Sequence, residues 1–129
     1  MYIAIDVGGT NMRIALVDLS GEPTIKKIEE HRVPQDYNVG IEAMCGFIEK
    51  LSEGQKIEGI GACFPGIITK DGQVMVPNNL PDWGMKPIKE TLEERFKVPV
   101  KLVHDAQGAA LGEALYGVAK DKILAAFVS

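Results

Sequence analysis

The sequence predicts an α/β domain built on a mixed sheet, and three features carry that prediction. Two alternating apolar segments, "MYIAIDV" and "MRIALVDL", flank the glycine turn "GGTN" and read as an antiparallel hairpin. Later, segments with helical apolar spacing alternate with short apolar runs, the order expected of parallel crossovers. Between the two regions, "KIEGIGACF" is apolar almost throughout and reads as a buried strand.

Each element has its own signal. In the first strand Met1, Ile3, Ile5 and Val7 share one face, with Tyr2, Ala4 and Asp6 on the other. The second strand ends at the turn residues Ser20 and Gly21. A third strand over 25–33 is diluted by Lys and Glu. Ile41, Met44, Ile48 and Leu51 fall at helical spacing, and Gly54 is able to end that helix. Pro65 and Gly66 close the buried strand, and extended pieces over 67–69 and 74–76 flank Asp71-Gly72, a small-hairpin signal. Pro87 suits a first helical turn; Ile88, Leu92 and Phe96 line one face until Pro99. "VKLVH" is a strand, 106–116 a helix ended by Gly117, and "KILAAFVS" a last strand. The order is βββαβ…αβαβ, without internal repeats.

A chain of 129 residues suffices for one domain with a core, burying roughly two thirds of its unfolded surface. With 46% hydrophobic and 25% charged residues the composition is that of a globular domain. A net charge of −4 with no basic run speaks against a nucleic-acid surface. No apolar run approaches a membrane span, and the chain opens in a strand rather than a signal peptide, so no membrane partner and a cytoplasmic location are expected. Cys45 and Cys63 are too far apart to form a chelating pair and read as reduced core residues.

Two stretches offer chemistry. In "DVGGTN", Asp6 ends a strand and Gly8, Gly9 and Thr10 form a tight turn. Two glycines permit positive φ and leave backbone amides open to an anion. Thr10 adds a hydroxyl, and Asp6 could hold a Mg²⁺-bound water beside a phosphate. An ordinary glycine hairpin is the alternative. In "HDAQGAALGE", Asp105 sits at the lip of a helix rich in small residues. It reads either as an N-cap or as a catalytic base held at a helix start. Trp83 reads as packing under its loop rather than facing a ligand.

Taken in order, "DVGGTN" at 6–11, "GACFPGIIT" at 61–69, "PNNLPDWG" at 77–84 and "HDAQGAALGE" at 104–113 resemble the amino-terminal half of the ROK family of repressors, open reading frames and sugar kinases. The resemblance covers essentially the whole chain. It implies an RNase-H-like domain of the actin-like ATPase superfamily, a mixed sheet with helices on both faces. It implies that Asp6, Gly8, Gly9, Thr10 and Asn11 bind the phosphates of ATP, with Asp6 serving Mg²⁺. Asp105 matches the catalytic aspartate that takes the proton from a hexose 6-hydroxyl, and capping is compatible with that role. Gly66, Asn79, His104 and Asp105 match the sugar-binding positions. His104 stands where glucokinase-like members often have Asn, which leaves the hexose open, with glucose the expectation; Asn11 stands where Lys is frequent. Residues 108–113 also resemble the fructokinase-like members.

The family continues into a second phosphate turn, further sugar ligands, a zinc site in most members, and an adenosine site. None of these is among these residues. The chain therefore reads as residues 1–119 of a kinase domain plus 120–129 as the first strand of a second domain, inactive alone and a homo-oligomer when full length. Two other functions stay open. One is a ROK sugar-responsive transcriptional regulator, which would carry a helix-turn-helix before the first strand. The other is an actin-like ATPase without a sugar substrate, against which "PNNLPDWG" speaks.

Overall fold

A computed structural model describes residues 1–75 and 80–104. Strands β1 (Tyr2–Val7), β2 (Asn11–Asp18) and β3 (Thr24–Arg32) run as successive antiparallel neighbours. Helix α1 (Tyr37–Leu51) then crosses to β4 (Gly59–Phe64), which lies parallel to β1. A small hairpin, β5 (Ile67–Ile68) and β6 (Val74–Met75), precedes helix α2 (Ile88–Phe96). Strand β7 (Val100–His104) pairs parallel to β4 and gives a five-stranded sheet in the order β3-β2-β1-β4-β7.

Alternation explains the core. Ile3, Ile5 and Val7 oppose Leu16, Ile14 and Met12 across the hairpin, so all six side chains share one face, and all are buried. Ile60, Ala62 and Phe64 extend that face through β4, and Val100 and Leu102 through β7. Both described helices cover it: α1 with Ile41, Met44, Ile48 and Leu51, and α2 with Ile88 and Leu92. Each fully buried Ile or Leu contributes about 1.5–3 kcal/mol. The opposite face presents Ala4, Ala15, Gly59, Gly61 and Cys63, also buried. The helix expected over 106–116 lies outside the described residues, as do the strand at the chain end and the boundary at residue 119. Both cysteines are buried, and burial pushes the Cys45 thiol up, so it is a packing group rather than a nucleophile.

The helix limits follow from local chemistry. The Asp36 carboxylate accepts from the Val39 amide at 3.0 Å and caps α1. The helix stops earlier than its glycine signal: Ser52 is the C-cap, its hydroxyl donating to Ile48 O at 2.7 Å, and Gly54 (φ 78°) follows in the turn.

Trp83 fulfils the packing expectation. It is fully buried, donates Nε1 to Pro34 O at 3.0 Å and meets the Tyr37 ring edge-on with centroids 5.2 Å apart. Gly40 of α1 lies flat against the indole, and a Cβ there would stand 2.3 Å from a Trp83 ring carbon. Gly40→Ala gains about 1 kcal/mol of helix propensity but must displace a fixed ring. The net expectation is a loss of about 1–3 kcal/mol, read as a lower urea midpoint; an unchanged midpoint would show that the ring yields.

Candidate active site

The parallel strands β1, β4 and β7 all end on one side of the sheet, and Asp6, the glycine turn, Gly66 and His104 sit at those three ends. The turn Gly8–Asn11 follows β1, the Pro65-Gly66 turn follows β4, and His104 ends β7. With neighbouring strands about 4.8 Å apart, the glycine turn and His104 are roughly 10 Å from each other, the width of a small-molecule site. Asp105 follows His104 in the chain; Asp105 and Asn79 lie outside the described residues.

The glycine turn is held at both sides. Gly8 N donates to Asn11 O at 2.8 Å, and Val33 N donates to Thr10 O at 2.8 Å, fastening the turn to the end of β3. This corrects the sequence reading on two points. The Gly8 amide is already engaged, so only the amides of Gly9 and Thr10 are without a partner among the described residues. Nor does either glycine take a positive φ. The requirement at Gly8 is steric instead, since a Cβ would stand 3.3 Å from Asn11 O. The left-handed glycine of the site is Gly66, with φ 106°.

Asp6 is not a free carboxylate. Its Oδ2 accepts from Arg13 Nη2 at 3.0 Å, because Asp6 and Arg13 face each other directly across the β1–β2 ladder. Oδ1 has no partner among the described residues. A carboxylate half-neutralised by a guanidinium suits a hydrogen bond to a metal-bound water better than direct coordination. The described residues contain no cluster of three or more His, Cys, Asp or Glu able to hold a metal. Arg13 was missed by the sequence reading, although its place opposite Asp6 follows from the hairpin register.

His104 and Gly66 are brought together. The imidazole Nδ1 contacts Gly66 O, tying the end of β7 to the turn after β4. His104 was expected to donate to a sugar hydroxyl. Its Nδ1 is instead occupied by the backbone, and only Nε2 remains for a ligand. Beyond Leu80 the chain is anchored: the Asp82 carboxylate accepts from the Tyr37 amide at 2.8 Å, and Trp83 is fixed to Pro34.

The sequence profile of the ROK family matches residues 2–129. The chain belongs to the ROK family. Its relatives include the xylose repressor of Bacillus subtilis, 29% identical over 92% of this chain and 32% of that protein. Another is an N-acetyl-D-glucosamine kinase of Vibrio atlanticus, 30% identical over 95% of this chain and 40% of that protein. Among solved structures, a ROK family glucokinase from Streptomyces griseus in complex with glucose and AMPPNP superposes with a TM-score of 0.71 at 28% identity, over 93% of this chain and 38% of that one. The ROK chain thus spans between about a third and two fifths of the length of these relatives. Its mixed sheet is that of the RNase-H-like, actin-like ATPase fold. Among the described residues no helix is long and apolar enough to cross a membrane.

Proposed function

We propose that this ROK chain is the catalytic amino-terminal part of an ATP-dependent hexose kinase of the cytoplasm, acting on glucose. The observation that supports this most is the convergence of the strand ends. Two open amides, a left-handed glycine and His104, the neighbour of Asp105, meet on one side of one sheet. AMPPNP, an ATP analogue, together with glucose in the Streptomyces griseus relative supports the pairing of nucleotide and sugar.

In this reading the Gly9 and Thr10 amides, with the Thr10 hydroxyl, hold phosphate oxygens of ATP. Asp6 Oδ1 would hold a water bound to Mg²⁺, and the ion would supply neutralisation of phosphate charge. Gly66 and Asn79 contact sugar hydroxyls. Asp105 accepts the proton of the 6-hydroxyl as that oxygen bonds to the γ-phosphorus and the bond to the β-phosphate oxygen breaks, releasing ADP. Since phosphoryl transfer is mostly positioning and charge stabilisation, one rigidly held base and a phosphate cradle are the essential parts. Coupled measurement of ADP release by the whole protein, with glucose, N-acetylglucosamine, fructose and xylose, tests the reading. Release dependent on glucose supports it, and no sugar-dependent release overturns it.

The xylose repressor relative favours a second reading, a sugar-responsive regulator on the same fold. Sugar binding without turnover, together with sugar-dependent DNA retention, would select it. His104→Asn separates sugar choice from scaffolding within the kinase reading. The shorter amide loosens the link to Gly66 and offers a paired donor and acceptor to the sugar. The relative activities among the hexoses should therefore change while ATP affinity holds. An identical ranking in variant and parent would take His104 out of the sugar pocket.

A further inference from the structure

On the outer side of β7, away from the glycine turn, a cleft of about 460 Å³ opens between the β5–β6 hairpin, the start of α2 and β7 itself. Lys70, Lys89 and Lys101 line it together with His104 and Thr69. Among the described residues no acidic residue lines it, in a chain whose net charge is −4. Like charges on three separate elements repel one another, and with only Lys89 paired among the described residues, a bound anion would relieve that repulsion.

The ammonium groups differ in what they already do. Lys89 pairs with Glu93 at 3.2 Å, and its stem packs over Gly72, where a Cβ would stand 2.3 Å from the Lys89 Cβ. Lys70 and Lys101 are exposed and have no acidic partner among the described residues. Thr69 Oγ1 accepts from the Gln73 amide at 3.1 Å, which leaves its hydroxyl proton to donate. The hairpin loop is rigid: Thr69 N donates to Gln73 O at 2.9 Å and Gly72 N to Thr69 O at 3.1 Å. Lys70, Lys101, Thr69 and His104 lining one concave space supply the residue types that recognise a compact, doubly charged oxyanion.

We propose that this cleft binds a phosphate dianion, either inorganic phosphate or the phosphate of a small phosphorylated sugar, at a site separate from the glycine turn. Because His104 also fastens the Gly66 turn, an anion seated here bears on the end of β7 that leads into Asp105. Occupancy therefore gives the protein a way to sense phosphate status beside its sugar pocket.

Calorimetric titration of the 129-residue chain with inorganic phosphate and with glucose 6-phosphate, using glucose as the neutral control, tests the proposal. Binding should weaken at least about tenfold in the Lys70→Glu/Lys101→Glu double variant and fall stepwise in the corresponding Gln variants. Lys56→Glu, an exposed lysine elsewhere, should leave it within about twofold. Similar affinity for the two anions identifies free phosphate as the source. A preference of about tenfold or more for glucose 6-phosphate identifies the phosphorylated sugar. No binding of either anion overturns the proposal. So does binding that survives the double reversal, or that Gly9→Val abolishes, since the anion would then sit in the glycine turn.

Discussion

Asp105→Asn in the whole protein is expected to lower turnover by about a hundredfold or more while sugar affinity changes little. Asn keeps the size and hydrogen-bonding reach of Asp but cannot accept a proton at neutral pH. Sugar hydroxyls therefore still find a partner, while the attacking oxygen loses its base. Asp105 follows His104, the last residue of β7, a strand whose register is set along its length by β4. Steady-state rates measured against sugar and ATP separately distinguish the two effects. Turnover within about threefold of the parent would remove Asp105 from the chemistry.

Gly9→Val is expected to raise the KM for ATP at least about tenfold, with the sugar KM nearly unchanged, since charge-assisted hydrogen bonds contribute about 1.5–3 kcal/mol each. The structure narrows the reason. Gly8 N is spent on Asn11 O, so the cradle depends on the Gly9 and Thr10 amides. A β-branched side chain at position 9 stands between both of them and the ligand. Because Val33 holds Thr10 O from the other side, the turn has little freedom to retreat from the new methyl groups. A variant that loses sugar affinity alone would show that the glycine turn serves the sugar and not the nucleotide.

The strands and both described helices were legible because their apolar periods are undiluted: Ile3, Ile5 and Val7 alternate, and Ile41, Met44 and Ile48 recur by turns. Even β3, rich in Lys and Glu, forms where expected, since it is an exposed edge strand with only one strand neighbour. For the candidate site, the nearness of the glycine turn, Gly66 and His104 was legible, but their interactions were not. Position follows from which residues end parallel strands. Interaction depends on which side chains meet across long stretches of sequence, as His104 meets Gly66 and Asp82 meets the Tyr37 amide. The Asp6–Arg13 pair was within reach, because a hairpin fixes partners by counting outward from its turn. The lysine cleft was not, because Lys70, Lys89 and Lys101 come from a loop, a helix and a strand. The glycines misled in a different way: Gly-Gly suggested a left-handed turn, whereas the left-handed residue of the site follows a proline at Gly66.

The anchoring of Asp82 and Trp83 bears on how sugar preference can be altered by engineering. The stretch from Pro77 to Gly84 invites exchange between relatives as one cassette, yet its far end is the clamp on α1. Asp82 holds the first amide of that helix, and Trp83 fills the space against Gly40 and hangs from Pro34. One residue before Pro34, Val33 secures the glycine turn. A graft that imports a foreign loop without this Asp-Trp pair therefore loosens helix and phosphate cradle together, and its loss of activity would be mistaken for a failure of specificity. Exchanges that stop before Leu80 leave the clamp in place.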